Sequence, residues 1–161
     1  MASSPRSNDG APRWLDEREQ RGWRALLALR DGLSRALERQ LQRDSGLSLA
    51  DYGVLVHLSE APDERLRHYE LGAAIDWEKS RLSHHLSRMV SRGLVARERC
   101  PEDSRGGYVV LTDQGRAVIR AAAPQHVAEV RRLFIDRIAP HHLDALIEME
   151  ALVLGDLEAE G

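Results

Sequence analysis

The sequence predicts a mainly α protein with one small β element. Three observations predict it. Apolar residues recur at steps of three and four along most of the 161 residues. The period changes once, where Leu94–Cys100 and Tyr108–Leu111 read as short strands around a Pro- and Gly-containing turn. Capping residues bracket the helical stretches. No internal repeat, no βαβ alternation and no strand-Gly-helix phosphate loop is present.

The elements follow in order. Trp14 to Gln42 carries Trp23, Leu26, Leu29, Leu33, Leu37 and Leu41 at helical spacing, with Gly22 and Gly32 as weak points. Ser48 with Asp51 three residues on is a capping-box pattern, and it opens a helix that stops at Ala61-Pro62. A short helix covers about His68 to Ile75. After the Asp76-Trp77 turn, with Asp76 or Glu78 as cap, a fourth helix runs from about Lys79 to Arg92 and ends at Gly93. The two strands then form a hairpin whose charged tip is Pro101 to Gly107. Thr112 caps a helix to about Arg137 that Pro124 should kink or divide, and Pro140 suits the first turn of a last helix.

Composition narrows the function classes. A 42% hydrophobic content can bury a core, and no apolar run approaches the ~20 residues of a membrane span. The first ten residues have no apolar segment of a secretory signal and read as a disordered tail. The single cysteine, Cys100, leaves no intrachain disulfide and no cysteine-based zinc cage, and fits a reducing cytoplasm. Formal net charge is -3, which argues against a nucleic-acid partner until its distribution is considered. Nine basic and six acidic residues lie between Arg65 and Arg105, whereas the rest of the chain is acidic.

Two short helices, a turn, a further helix and a two-stranded wing make the arrangement that seats one helix in a DNA major groove. At ~100° per residue, Leu82, Leu86, Met89 and Val90 share one face of the fourth helix. Ser80, His84, Ser87, Arg88 and Ser91 share the other, with Arg81 beside them and His85 on a flank. This outer face has no carboxylate, whereas a merely solvated helix normally interleaves Glu and Asp. Small hydroxyls allow close approach, and arginine reads guanine through paired donors. At the hairpin tip, Arg105 can enter a narrow minor groove, Asp103 can hold it or the turn, and Gly106-Gly107 permits tight turning. The alternative is an ordinary exposed turn.

Leu71, Leu82, Leu86, Gly93-Leu94-Val95, Asp103-Ser104-Arg105-Gly106 and Leu111-Thr112-Asp113-Gln114-Gly115-Arg116 together resemble the MarR (multiple antibiotic resistance regulator) family. The resemblance implies a winged helix-turn-helix with N- and C-terminal dimerisation helices and a wing arginine in the minor groove. It implies a homodimeric, sequence-specific regulator of double-stranded DNA, a repressor on a pseudo-palindromic operator that a small-molecule effector relieves. The expected divisions are a tail over 1–12, a dimerisation helix over 13–45, the DNA-binding domain over 46–112 and completing helices over 113–161. The chain departs from the pattern at Ser104, where many members carry a second basic residue. It departs again at Trp77-Glu78-Lys79, where many begin the helix with Ser or Thr.

A ligand pocket between the first helix and the DNA-binding domain, drawn mostly from the resemblance, would use Trp14, Trp23, Tyr52, His57 and His68. The plainer alternative makes them core or dimer-interface residues. The pairs His84-His85 and His141-His142 lack the spacing of a helical zinc site, so no metal or other cofactor is expected. A redox- or metal-responsive regulator of the same fold is an alternative, the first raised by Cys100 beside Arg99, and a protein-binding winged helix is another, though that would present an apolar fourth helix. No catalytic constellation is found, and no enzyme activity or membrane partner is expected.

Overall fold

The computed structural model describes residues 12–99 and 107–159. The chain forms two compact units, one ending at Leu33 and one running from Ser34 onward. Helix α1 (Glu17–Ser45) starts in the first and ends in the second. It begins later than Trp14 because Asp16 and Glu19 cap it reciprocally, each carboxylate accepting from the other's backbone N–H at 2.8 Å. In this first unit Trp23, Leu26 and Leu29 remain exposed.

The second unit holds the end of α1, then α2 (Leu49–Glu60), strand β1 (Arg65–Arg67), α3 (His68–Ala74) and α4 (Lys79–Ser91). Strands β2 (Val95–Glu98) and β3 (Tyr108–Leu111) follow, then α5 (Asp113–Leu133) and α6 (Pro140–Ala159). The expected capping box opens α2, with Asp51 N–H donating to Ser48 Oγ at 2.9 Å and Ser48 N–H donating to Asp51 Oδ2 at 3.0 Å. Two corrections concern extent. The sheet has three antiparallel strands in the order β1-β3-β2, not two, with Arg65 opposite Val110 and Arg67 opposite Tyr108. Helix α5 continues through Pro124 without division and ends at Leu133, with Phe134 as its C-cap.

The core is drawn from α1 through α5 and from β2 and β3, with Leu66 of β1 partly buried against it. Leu41, Leu55, Leu58, Leu71, Leu82, Leu86 and Met89 are fully buried, and Val95, Val109, Leu111 and Ile119 nearly so. Each such side chain stabilises the fold by roughly 1.5–3 kcal/mol relative to exposure. α4 is therefore clamped by its inner face, and its outer face is presented at a fixed angle.

Candidate nucleic-acid interface

α4 is bounded by unequal ends. Its N-cap, Glu78, makes no side-chain cap, as expected where a hydroxyl is missing from Trp77-Glu78-Lys79. Its C-terminus is closed by paired backbone bonds, Gly93 N–H to Val90 O at 2.9 Å and Leu94 N–H to Met89 O at 3.0 Å. Gly93 at φ +71° makes that reversal without strain, and a Cβ there would meet the Gln114 side chain. Gly115 meets the other constraint: a Cβ would run into the Leu94 backbone. Thr112 Oγ1 accepts from Gly115 N–H at 2.9 Å and donates to Gly93 O at 2.6 Å. The Leu-Thr-x-x-Gly run thus locks α5 against the end of α4.

Along α4, Leu82, His85, Leu86 and Met89 are buried, while Ser80, Arg81, His84, Ser87 and Arg88 are exposed. The helix accordingly shows solvent two guanidiniums, one imidazole and small hydroxyls. Val90, expected on the inner face, is 39% exposed at its edge. His85, expected on a flank, is in the core, its Nε2 3.0 Å from Asp51 Oδ1. The angle of that approach is not that of a hydrogen bond. Burial pushes the Asp51 carboxyl up, but His85, the Ser48 backbone and Arg92 outweigh it and hold it well below the usual carboxylate range.

The outward cations are not loose. The Arg81 guanidinium lies 4.1 Å over the Trp77 ring. Arg88 Nη2 donates to His85 Nδ1 at 3.0 Å. Ser87 Oγ donates to Ser83 O at 2.8 Å and accepts from Arg97 Nη2 at 3.0 Å. Arg97, which the sequence reading missed, also donates to Ser83 O at 2.8 Å and so ties β2 to α4. Its only sequence signal was its place on the exposed side of a strand next to the helix. Asp103, Arg105 and Gly106, the expected wing-tip contacts, and Cys100 lie outside the described residues.

A cavity of about 530 Å³ lies between α3, the start of α4 and the sheet, lined among others by His68, Tyr69, Trp77, Ser83, Arg97 and Tyr108. His68 Nε2 and Ser83 Oγ are 3.0 Å apart in its wall. Burial, then the charges of Arg97 and Lys79, hold the His68 imidazole below its ordinary value and so favour its neutral form. Of the residues expected to bind a ligand, His68 lines this cavity and Tyr52 and His57 do not. Tyr52 instead meets the His126 ring of α5 at 4.2 Å. Trp14 and Trp23 belong to the first unit, where both are exposed. Among the described residues no group of three or more metal-ligating side chains is found, and no helix is long and apolar enough to cross a membrane.

Comparisons with known proteins converge. The MarR family model matches residues 45–106. AbsC, a MarR family transcriptional regulator from Streptomyces coelicolor, is 42% identical, with 92% of this chain and 99% of that chain covered and a TM-score of 0.88. Sco3205, a MarR family transcriptional regulator from the same organism solved in complex with DNA, is 43% identical over 91% of this chain and 92% of its own, with a TM-score of 0.87. YetL, an HTH-type transcriptional repressor of Bacillus subtilis, is 29% identical over 112 residues, 70% of this chain and 64% of its own length.

Proposed function

Because this chain belongs to the MarR family of transcription regulators, we propose that it acts as a homodimeric repressor on a pseudo-palindromic DNA operator. α4 enters the major groove and the wing, with Arg105, enters the adjacent minor groove. The observation that carries this reading is the outer face of α4: Ser80, Arg81, His84, Ser87 and Arg88 are exposed together with no carboxylate among them. Its relatives support it, since Sco3205 was solved in complex with DNA and YetL is named a repressor.

The dimer is proposed from exposed apolar surface. On α6, Leu146, Ile147, Met149, Leu152, Val153 and Leu154 are 39% to 66% exposed, and a second copy of the chain is the partner that would cover them. In the expected divisions, 13–45 and 113–161 carry dimerisation and 46–112 carries DNA binding. The site of action is the cytoplasm, and the role is regulation without catalysis. A small-molecule effector in the cavity beside His68, Ser83 and Arg97 would act on the seating of α4, since His68 bonds to the Ser83 side chain of that helix and Arg97 to the Ser83 carbonyl.

The test is alanine replacement of Ser80, Arg81, His84, Ser87, Arg88 and Arg105, each measured against single-base variants of a selected operator. A base-reading side chain should carry about 1–3 kcal/mol of discrimination, whereas a phosphate contact weakens all sequences alike. Wild-type affinity and discrimination in all six variants would refute the assignment.

A further inference from the structure

We propose that His85 is a positioning residue: from inside the core its Nδ1 holds the Arg88 guanidinium in the orientation from which Arg88 reads DNA. The inference rests on the reading of α4 as the DNA-facing helix and goes one step beneath it, to a side chain that touches no DNA.

The hydrogen-bond chemistry permits one arrangement. A guanidinium has only donors, so the 3.0 Å contact from Arg88 Nη2 requires His85 Nδ1 to be the acceptor. The imidazole proton then sits on Nε2, which is the nitrogen 3.0 Å from Asp51 Oδ1. Asp51 is fixed in turn. Its Oδ2 accepts from Ser48 N–H at 3.0 Å and from Arg92 Nη1 at 2.7 Å, while Arg92 Nη2 donates to Gly46 O at 2.8 Å. The Trp77 ring meets the imidazole nearly perpendicular, with centroids 5.1 Å apart, and carries Arg81 on its own face.

The consequence is preorganisation. His85 is 7% exposed and lies between the Asp51 carboxylate, which its Nε2 approaches without a hydrogen bond, and the Trp77 ring, so burial and packing fix its ring orientation. Arg88 is exposed but anchored through one nitrogen, leaving its remaining donors for a base edge. A long side chain held in place before binding loses less rotamer freedom when it binds. Base reading is the property that depends on this orientation. Attraction to phosphate depends mainly on charge and is indifferent to it.

The experiment uses the full-length chain and an operator recovered by selection, with every single-base variant of it. Arg88→Ala first identifies the base pair at which discrimination relaxes. His85→Asn and His85→Gln are then compared there. Both are neutral amides, but only asparagine places an oxygen where Nδ1 stood; glutamine places its amide at the Nε2 position. His85→Gln is expected to relax discrimination at that base pair on the order of tenfold, as Arg88→Ala does, with an unchanged salt slope. His85→Asn is expected to retain most of it, and the His85→Gln, Arg88→Ala double variant to be no worse than Arg88→Ala. Equal weakening of all sequences by both amides, or full discrimination in His85→Gln, overturns the positioning role and leaves the α4 reading intact. An Arg88→Ala chain that discriminates like wild type removes Arg88 from the DNA-reading surface, and the inference falls with it.

Discussion

α4 and α6 both carry apolar residues at helical spacing, yet they end in different surroundings. In α4, Leu82, Leu86 and Met89 are fully buried against the rest of their unit. In α6, none of Leu146, Ile147, Met149, Leu152, Val153 and Leu154 is buried. Their positions also differ in breadth. The α4 residues form one stripe, whereas the α6 residues wrap more than half the helix, the pattern of a helix meant to be enclosed. The lesson is that the covering surface for α4 is encoded within its own unit, whereas the apolar residues of α6 are left uncovered there. One helix can then be held rigidly for recognition while the other remains available for assembly.

The largest effect expected from breaking this contrast lies in the core. Leu86→Ala removes a fully buried side chain beneath α4 and should cost about 2–5 kcal/mol of folding stability, read by chemical denaturation. A loss below 1 kcal/mol would mean that α4 is not clamped as described. On α6 the effect should appear in assembly instead. Ile147→Glu with Leu152→Glu should raise the dimer dissociation constant at least on the order of a hundredfold, about 2.7 kcal/mol, with little change in the far-ultraviolet circular dichroism. Sedimentation that shows an unaltered dimer would place the interface elsewhere.

Two smaller effects sharpen the picture of the winged unit. Ser48→Ala removes the cap of α2 and should destabilise by about 1 kcal/mol. A drop of that size, with dimerisation intact, separates local capping from assembly. The smallest effect is a pH dependence at His68. Its folded-state value is depressed, first by burial and then by Arg97 and Lys79. The resulting stability is fully present above the ordinary histidine value, ~6.5, and is lost as pH falls through the lower folded value. Wild type should therefore lose more stability than His68→Asn between pH 7 and pH 5. Equal losses would show that His68 is not kept neutral by the fold.

Much of this architecture was legible because its signals are local. The Ser48–Asp51 box, Gly93 after α4, Thr112 before α5 and Pro140 opening α6 are each decided by a few neighbouring residues. What escaped depends on distant partners. β1 is three residues, too short to show a period, and is a strand because β3 offers it an edge. Helical angles put His85 on a flank; Asp51 of α2 and Trp77 give it a reason to be buried. The same holds for the site: the outward set on α4 was readable from spacing alone. The tethering of Arg81, Ser87 and Arg88 by Trp77, Arg97 and His85 depends on tertiary contact.

The central claim is that a rigidly held α4, duplicated by a second copy of the chain, reads DNA. Selection from random duplexes followed by footprinting tests it most directly. Two α4 helices entering successive major grooves should recover a two-fold symmetric motif whose half-sites are about one helical turn, ~10 bp, apart on one face of the duplex. Protection of a single, non-symmetric half-site, or no preference over random DNA, would contradict it.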